Sequence, residues 1–200
     1  MSATLDLWDY RRRVYEMYRR VRERGPGPES WPGWVAERDV LFATHLQSPI
    51  EDRSRFGGLP YFPYDPAWRT SGRFTPSDDE VATVDHSGDG STRFVKIGAV
   101  EFEAAGNPGR LEVLWLDSYG GGIFLPFRDA TNGGPTYGGG RYLLDTVKGA
   151  DLGHAGDEIV LDFNFAFHPS CVHSERWSCP LAPPANRLPF PVEAGERLAT

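Results

Sequence analysis

Residues 94 to 116, FVKIGAVEFEAAGNPGRLEVLWL, decide the fold. From residue 94 to residue 103 the chain alternates, with Val95, Ile97 and Ala99 on one side of an extended strand. Residues 107 to 109, Asn-Pro-Gly, favour a turn, and residues 111 to 116 return to the extended pattern. The stretch therefore predicts a β-hairpin.

Further strands are predicted on both sides of that hairpin. Extended patterns occur in residues 74 to 84, 123 to 127, 136 to 146 and 158 to 167, and turn-forming or glycine-rich segments separate them. Short strands in this arrangement are typical of a mainly β protein. We expect an antiparallel β-barrel or sandwich-like domain over residues 51 to 200. No alternation of strands and helices follows residue 50, which argues against a doubly wound nucleotide-binding fold.

Two helices are predicted before the first strand. Residues 5 to 24 place Leu7, Tyr10, Val14 and Val21 at helical spacing, and the sequence Gly-Pro-Gly-Pro then ends the helix. A second helix is predicted over residues 34 to 46. We expect residues 1 to 50 to form a helical extension that packs on the main domain. The arginine-rich face of the first helix is either solvated, which we favour, or a contact for a membrane or an acidic partner.

The composition of the chain argues against several classes of function. The formal net charge is -7, whereas non-specific nucleic-acid binding usually needs a basic face. The N-terminal region is arginine-rich and has no uninterrupted apolar segment, so neither a signal peptide nor a membrane span is predicted. We therefore expect a cytoplasmic protein with no nucleic-acid or membrane partner, in which the two cysteines are reduced rather than bridged. A homodimer is compatible with the sequence.

The run from residue 127 to residue 142, FRDATNGGPTYGGGRY, is the first candidate site. In one interpretation Asp129 and Thr131 bond nearby amides and the glycines shape a hairpin. In the other, the glycines let the backbone approach a ligand, and Arg141 binds a carboxylate or phosphate. An internal ion pair of Arg141 with Asp129 or Asp162 competes with that second role. The run is not a P-loop, because it lacks the Gly-Lys-Ser/Thr ending and the following helix.

The run from residue 157 to residue 188 is the second candidate site. Asp162 and Asn164 lie two residues apart in a predicted strand and therefore share one face. The other face is apolar and is formed by Leu161, Phe163 and Phe165. The polar face suits the wall of a ligand cavity. We expect the two runs to be neighbours in the sheet, with Arg141 and Asp162 or Asn164 facing the same cavity.

The second run also contains both cysteines. His168, Cys171, His173 and Cys179 combine imidazole and thiol groups, which suit zinc, but their spacing matches no common zinc motif. The alternatives are a Cys171–Cys179 disulfide, a nucleophilic Cys171 activated by one of the two histidines, and a pair of buried structural thiols. We favour the structural thiols and predict no metal.

These residues define the predicted function, a small-molecule enzyme without a cofactor. Its reaction would be of the hydrolase, lyase, isomerase or cyclase type, including a step in natural-product biosynthesis. Tyr137, Asp162 or His168 would transfer protons. Arg141 would hold an anionic group of the substrate, and the predicted substrate-binding residues are Asp129, Arg141, Asn164, Cys171 and Asn186. For Asn186 the favoured alternative is a structural role on loop amides.

Two other functions remain open. One is a non-catalytic β-barrel that binds a small ligand in an aromatic pocket. The other is a flavin-binding split barrel, for which the sequence offers only Arg141, Thr131 and Thr136 as groups for the flavin phosphate.

Three runs of residues resemble a known family. The first is residues 56 to 65, FGGLPYFPYD. The second contains Phe127, Asp129, Thr131, Gly133, Thr136, Tyr137, Gly140, Arg141, Tyr142 and Leu143. The third contains Asp162, Phe163, Asn164, Pro169, Cys171, Cys179, Pro180, Leu181, Pro183, Asn186, Arg187, Leu188, Ala194, Gly195 and Glu196.

Over nearly its whole length the chain resembles the uncharacterised bacterial family catalogued as domain of unknown function 1684. The resemblance implies no activity, because none is established for that group. The family pattern has an asparagine where this chain has His168, so the resemblance implies no family-wide metal or Cys–His role for this residue.

Overall fold

The computed structural model describes residues 2–199 as two helices followed by a curled antiparallel sheet. The seven strands have the order β5-β4-β3-β2-β1-β7-β6 and form a half-barrel. The prediction of a mainly antiparallel β fold with two N-terminal helices is therefore confirmed. The elements are α1 (Ala3–Arg24), α2 (Trp31–Thr44), β1 (Arg69–Asp85), β2 (Ser91–Ala104), β3 (Asn107–Leu116), β4 (Ile123–Phe127), β5 (Arg141–Asp145), β6 (His154–Ala155) and β7 (Glu158–Asp162).

The central hairpin is present, but its turn lies earlier than predicted. Ala104 pairs with Asn107, so the turn is the two residues Ala105 and Gly106. Both have positive φ, 49° and 73°, which matches the right-handed twist of the flanking strands. The predicted turn residues after position 106 instead begin β3, because the Ala-Gly pair supplies the geometry that a two-residue hairpin needs.

A bulge at Gly98 changes which face of β2 is buried. The pairing of β2 with β3 shifts between Lys96 and Gly98. As a result, Ala99 is buried whereas Val95 and Ile97 are only half-buried. A Cβ atom at residue 98 would collide with the carbonyl oxygen of Thr75, so the close approach of β1 requires glycine there.

The two helices share a core with the half-barrel. Trp34 of α2 is 1% exposed, and its ring centroid lies 5.0 Å from that of Phe165. Met17, Tyr18 and Val21 of α1 join the same cluster. The opposite side of the sheet packs around a second cluster of buried residues that includes Val100, Leu111, Leu125, Phe127, Leu161 and Phe163. Among residues 2–199 no helix combines the length and the apolar character needed to cross a membrane.

Strand β7 is shorter than predicted. It ends at Asp162, and residues 163 to 165 form a 3-10 turn whose amide at Asn164 donates to the Asp162 carboxylate, at 3.0 Å. Asp162 and Asn164 therefore do not lie on one face of a common strand. Asp162 caps the turn instead, as short acidic side chains commonly do.

The two candidate runs were expected to be neighbours in the sheet, but they are not. β5 lies at one edge, and β7 is separated from it by four strands. The chain after β7 nevertheless returns to β5, where Tyr142 and Phe167 exchange backbone hydrogen bonds of 2.8 and 3.0 Å. This contact brings the two runs together at one end of the half-barrel.

Residues 183 to 197, here called the C-terminal strap, cross that end of the half-barrel. The amide of Arg128 donates to the Asn186 carbonyl at 2.8 Å, and the amide of Leu188 donates to the Arg128 carbonyl at 2.8 Å. Further along, the amide of Arg197 donates to the Pro60 carbonyl at 2.9 Å. The strap therefore holds the sheet and the extended segment before β1 in one unit.

Candidate functional site

Arg141 holds the C-terminal strap from inside the protein. Its guanidinium is fully buried, pairs with the Asp129 carboxylate at 2.9 Å and donates to the Val192 carbonyl at 2.8 Å. It also donates to the carbonyls of Ala194 and Glu196. Burial lowers the pKa of Arg141, and Asp129 opposes that effect. The internal pair that competed with a substrate role is therefore what the structure contains.

Asp129 organises the loop around that pair. Its Oδ1 atom accepts hydrogen bonds from the amide of Thr131 at 2.8 Å, from the Thr131 hydroxyl at 2.5 Å and from the amide of Val192 at 3.2 Å. The Thr131 hydroxyl also lies 2.7 Å from that of Thr136. These contacts match the hairpin interpretation, in which Asp129 and Thr131 bond nearby groups.

Asp162 and Asn164 bind the segment that precedes β1. The Tyr64 hydroxyl donates to Asp162 at 3.0 Å, and the Asn164 amide group donates to Asp162 at 2.8 Å. Asn164 also exchanges hydrogen bonds of 2.9 and 3.0 Å with the backbone of Asp65. Burial raises the pKa of Asp162, and the hydrogen bonds from Asn164 and Tyr64 oppose it. Both side chains are buried and are occupied by protein partners.

Asn186 has a similar structural role in the strap. Its amide nitrogen donates to the carbonyls of Glu112 and Pro126 at 3.0 and 2.8 Å, and its oxygen accepts from the amide of Glu112 at 2.8 Å. The side chain is fully buried. It therefore satisfies backbone groups at the edges of β3 and β4.

A buried charge cluster connects α2 to the strap and to the loop after β7. The fully buried Glu196 pairs with Arg38 at 2.6 Å, and its other oxygen faces His168 at 3.5 Å and His173 at 3.3 Å. Arg38 also donates to the Tyr61 hydroxyl at 2.9 Å. Burial alone would raise the pKa of Glu196, but Arg38 and the two histidines hold it well below its usual range.

His168 is hydrogen-bonded through one ring nitrogen. Nε2 accepts a hydrogen bond from the Tyr137 amide at 3.2 Å, whereas Nδ1 lies 3.5 Å from Glu196 without a hydrogen bond. The side chain is 1% exposed, so this second nitrogen is enclosed within the buried charge cluster. The imidazoles of His168 and His173 both face the carboxylate, and among residues 2–199 no group of three or more His, Cys, Asp or Glu side chains is arranged to hold a metal ion.

A partly open cavity near these residues, here called the helix cavity, lies between the helices and the end of the half-barrel. Its volume is about 290 Å³. Its apolar wall includes Leu7, Val14, Met17, Leu41, Phe42, Ala150 and Phe167. Its polar wall includes Arg11, Arg38, Lys148, His168, Ser178 and Cys179. The other cavities along the helices are more open.

Four side chains beside the helix cavity are here called the thiol cluster: Ser87, Tyr137, Cys171 and Cys179. The neighbouring Cys179 thiol and the hydroxyls of Ser87 and Tyr137 lower the pKa of Cys171 to about 6, although burial opposes them. The hydrogen bond to Cys171 and burial together raise the pKa of Cys179 far above its usual value. Burial and the charge of Cys171 raise the pKa of Tyr137. Both cysteines are free and half-buried.

Sequence reasoning missed several members of these groups. Ser87 lies in the turn between β1 and β2, and its hydroxyl accepts from the Cys179 amide at 3.1 Å. Arg38 is an arginine among the apolar residues of α2, and this irregularity was a usable signal of a buried pair. Lys148 had no signal of its own, because its position at the cavity follows from the turn after β5.

Comparisons with known proteins place the chain in an uncharacterised group. No curated protein matches it. It is similar to the solution NMR structure of an uncharacterized protein from gene locus rrnAC0354 of Haloarcula marismortui, with 36% sequence identity and a TM-score of 0.59. That similarity covers 84% of this chain and 91% of the other. Residues 54–197 match the family described as protein of unknown function (DUF1684). The chain therefore belongs to the DUF1684 family.

Proposed function

We propose that the protein binds a small molecule with an apolar body and an anionic group in the helix cavity. The observation that supports this proposal is the cavity itself, which is enclosed by two helices and the end of the half-barrel and has both aromatic and cationic walls. Concave, mainly apolar sites with a few polar groups are the usual form of small-molecule sites.

The apolar body would pack against the inner faces of the helices. The guanidinium carbon of Arg38 lies 5.2 Å from the ring centroids of both Phe42 and Phe167. Tyr10, Tyr142 and Trp177 add further aromatic surface to the wall. Aromatic side chains offer large contact areas at low entropic cost, so they favour a flat or hydrophobic ligand.

The anionic group would bind at Lys148 and Arg11. Lys148 pairs with Asp145 at 2.7 Å, and its side chain is 47% exposed, so ammonium donors remain for a second anion. Burial would lower the pKa of Lys148, but Asp145 outweighs it and raises the pKa, so the group is charged at neutral pH. Arg11 lines the same cavity and is exposed. Arg38 contributes charge to the wall, although its donors already serve Glu196 and Tyr61.

The burial and the hydrogen-bond partners of the predicted proton-transfer residues favour ligand binding over general acid–base catalysis. Asp162 accepts from Tyr64 and Asn164, and His168 is buried, with Nε2 bonded to the Tyr137 amide and Nδ1 facing the buried Glu196. Arg141, which had been predicted to hold the substrate, is enclosed by the strap. A flavin phosphate would meet the same obstacle, because Arg141, Thr131 and Thr136 bond one another or Asp129. The cavity therefore supports a ligand-binding function best.

A matched pair of fluorescent probes tests this proposal. Anilinonaphthalene sulfonate carries an apolar body and an anion, and phenylnaphthylamine is its uncharged counterpart. We expect both probes to bind the folded protein with one site each. Lys148→Met should weaken sulfonate binding by up to about fivefold, the size of one partly exposed charge contact, and leave the neutral probe unchanged.

A second variant tests the location. Val14→Trp places a large ring in the cavity and should abolish binding of both probes, whereas Val81→Trp, on an exposed position of β1, should not. Circular dichroism and thermal unfolding confirm that each variant is folded. Equal binding by wild type and Val14→Trp, both folded, would show that the probes bind elsewhere and would refute the proposal.

A further inference from the structure

Two arginines lie side by side where the C-terminal strap joins the end of β4. Arg128 directly follows β4, and Arg187 belongs to the strap. The amide of Arg128 donates to the Asn186 carbonyl at 2.8 Å, and the amide of Leu188 donates to the Arg128 carbonyl at 2.8 Å. These bonds make Arg128 and Arg187 the two partners of a parallel bridge. Residues paired in this way direct their side chains to the same face, so the two guanidinium groups start from adjacent positions.

Neither arginine has a protein partner that neutralises its charge. Within residues 2–199 neither guanidinium forms an ion pair with a carboxylate or donates a hydrogen bond, and the Nε atom of Arg128 is buried without a partner. By contrast, Arg38 and Arg141 each pair with a buried carboxylate. Like charges that lie directly opposite each other on neighbouring strands destabilise a fold. An anion bound by both arginines would therefore offset an unfavourable contact.

A glycine turn, residues 137 to 140, lies against the side chain of Arg128. A Cβ atom at Gly140 would lie 3.2 Å from the Cγ atom of Arg128, so the arginine stem crosses this residue. The Gly140 amide closes the turn by donating to the Tyr137 carbonyl at 3.0 Å. The amides of Gly138 and Gly139 donate to no other group in the described part of the chain. A Cβ atom at Gly138 would meet nothing within 4 Å, so the turn faces open space there. Successive free amides are a common element of anion-binding sites.

We propose that Arg128, Arg187 and the glycine turn form a binding site for a phosphate group. Two arginines supply two positive charges, which match a phosphate with a charge of about −1.5 to −2 at neutral pH, whereas a carboxylate would neutralise only one of them. The planar fork of a guanidinium donates to two oxygens at once, and the free amides of the turn offer donors to a third oxygen.

The site is open to solvent and separate from the helix cavity. Arg128 is half-buried and Arg187 is exposed, so a small anion reaches both side chains. The cationic residues of the helix cavity are Arg11, Arg38 and Lys148, and neither member of the arginine pair lines it. The phosphate is either the free ion or the phosphate group of a small organic ester, because both present the same oxygens to the arginines.

Titration of the full-length protein with inorganic phosphate, followed by two-dimensional ¹H–¹⁵N NMR at constant ionic strength, tests the proposal. We expect saturable shifts of the amide signals of Gly138 and Gly139 and of the Nε–H signal of Arg128. The dissociation constant should be on the order of 1 mM, because partly exposed charge contacts are individually weak. Phenyl phosphate should shift the same signals. Tighter binding of phenyl phosphate would identify an organic phosphate as the ligand, and equal or weaker binding would identify the free ion.

Variants of the two arginines test the assignment directly. Arg128→Gln and Arg187→Gln should each weaken phosphate binding about fivefold, the size of one partly exposed charge contact, and the double variant should abolish saturable binding. Arg110→Gln is the matched control, because Arg110 is exposed and lies beside Glu101. Lys148→Met should also leave phosphate binding unchanged, which separates this site from the helix cavity.

Circular dichroism checks that each variant is folded. Should a variant fail to fold, the wild-type map of shifted signals decides the question independently. Shifts at the glycine turn and at the Nε–H group of Arg128 support the site. Absence of saturable shifts in wild type, shifts confined to other regions, or equal affinities of wild type and a folded double variant would overturn it.

Discussion

Two regions at the same end of the half-barrel use polar residues in opposite ways. Around Arg141 every contact is enclosed, and the guanidinium and the Asp129 carboxylate have no exposed surface. Around Cys171 the side chain is half-buried, and the neighbouring thiol and hydroxyl groups lower its pKa to about 6. The first arrangement fixes the chain, whereas the second leaves a thiol partly exposed.

The contrast shows how buried polar residues should be judged. A buried charge that has a full set of internal partners is costly to disturb and offers nothing to a ligand. A partly exposed group with a shifted pKa is a better candidate for chemistry, because its protonation state and its access both suit reaction. By this criterion the half-buried thiol at position 171 is a better candidate for chemistry than the arginine at position 141.

Arg141→Met is the strongest test of the enclosed region. Removal of the guanidinium leaves the Asp129 carboxylate buried without its partner, and breaking a buried ion pair costs about 3–5 kcal/mol. We expect a loss of that size in the free energy of unfolding measured by urea denaturation. The double variant Asp129→Asn with Arg141→Met should recover part of it, because the uncompensated charge is gone.

Arg110→Met is the matched control for this comparison. Arg110 is 56% exposed and lies 4.0 Å from Glu101, so the pair is screened by water. The Arg110→Met substitution should leave the free energy of unfolding almost unchanged. A small effect at both arginines would mean that the buried pair is not what holds the strap.

Glu196→Gln should have the next largest effect and a distinct pH dependence. At pH 7 we expect a loss of about 3 kcal/mol in the free energy of unfolding, because Arg38 stays buried without an anion. The pKa of Glu196 in the folded protein is well below that of the unfolded chain. Its contribution is therefore present above about pH 4.3 and is lost as the pH falls from there towards the folded pKa.

Denaturation of both proteins across a series of pH values measures this difference. The stabilities of wild type and Glu196→Gln should converge as the solution becomes more acidic, since the protonated carboxyl resembles the amide. Glu193→Gln is the control, because Glu193 is an exposed residue of the same strap. A gap between wild type and Glu196→Gln that widens towards acid would contradict the assigned direction of the shift.

Tyr137→Phe should have the smallest effect and should separate the two regions most sharply. Loss of the hydroxyl removes one of three donors to Cys171 and should raise the pKa of that thiol by about one unit, or about 1.4 kcal/mol. The midpoint of the iodoacetamide alkylation rate against pH measures it. Tyr119→Phe, on a fully exposed tyrosine, should leave the midpoint in place. An unchanged midpoint in Tyr137→Phe would remove Tyr137 from the thiol cluster.

Local patterns in the sequence predicted most of the fold. The helices, the central hairpin and most later strands follow from periodicity, which depends on residues a few positions apart. The misplaced turn at Ala105 and the early end of β7 at Asp162 had a different cause. In both places a short-range backbone preference, a positive φ or an aspartate cap, outweighed the alternation of apolar residues.

The candidate site was predictable only in part. The two runs that were singled out do meet, but the partners within them come from distant positions. Arg141 bonds carbonyls more than fifty residues later in the chain, and Asp162 bonds Tyr64, 98 residues earlier. No local pattern encodes such pairs, so the choice between a substrate contact and an internal contact required the tertiary structure.

Cys179 belongs to two features at once, because it is a member of the thiol cluster and also lines the helix cavity. Two equilibria that share a residue are thermodynamically linked. If ionisation of the thiol cluster changes the affinity of a ligand by some factor, binding of that ligand changes the pKa of the cluster by the equivalent free energy. A titration of one property in the presence of the other would therefore measure a single coupling constant from either side.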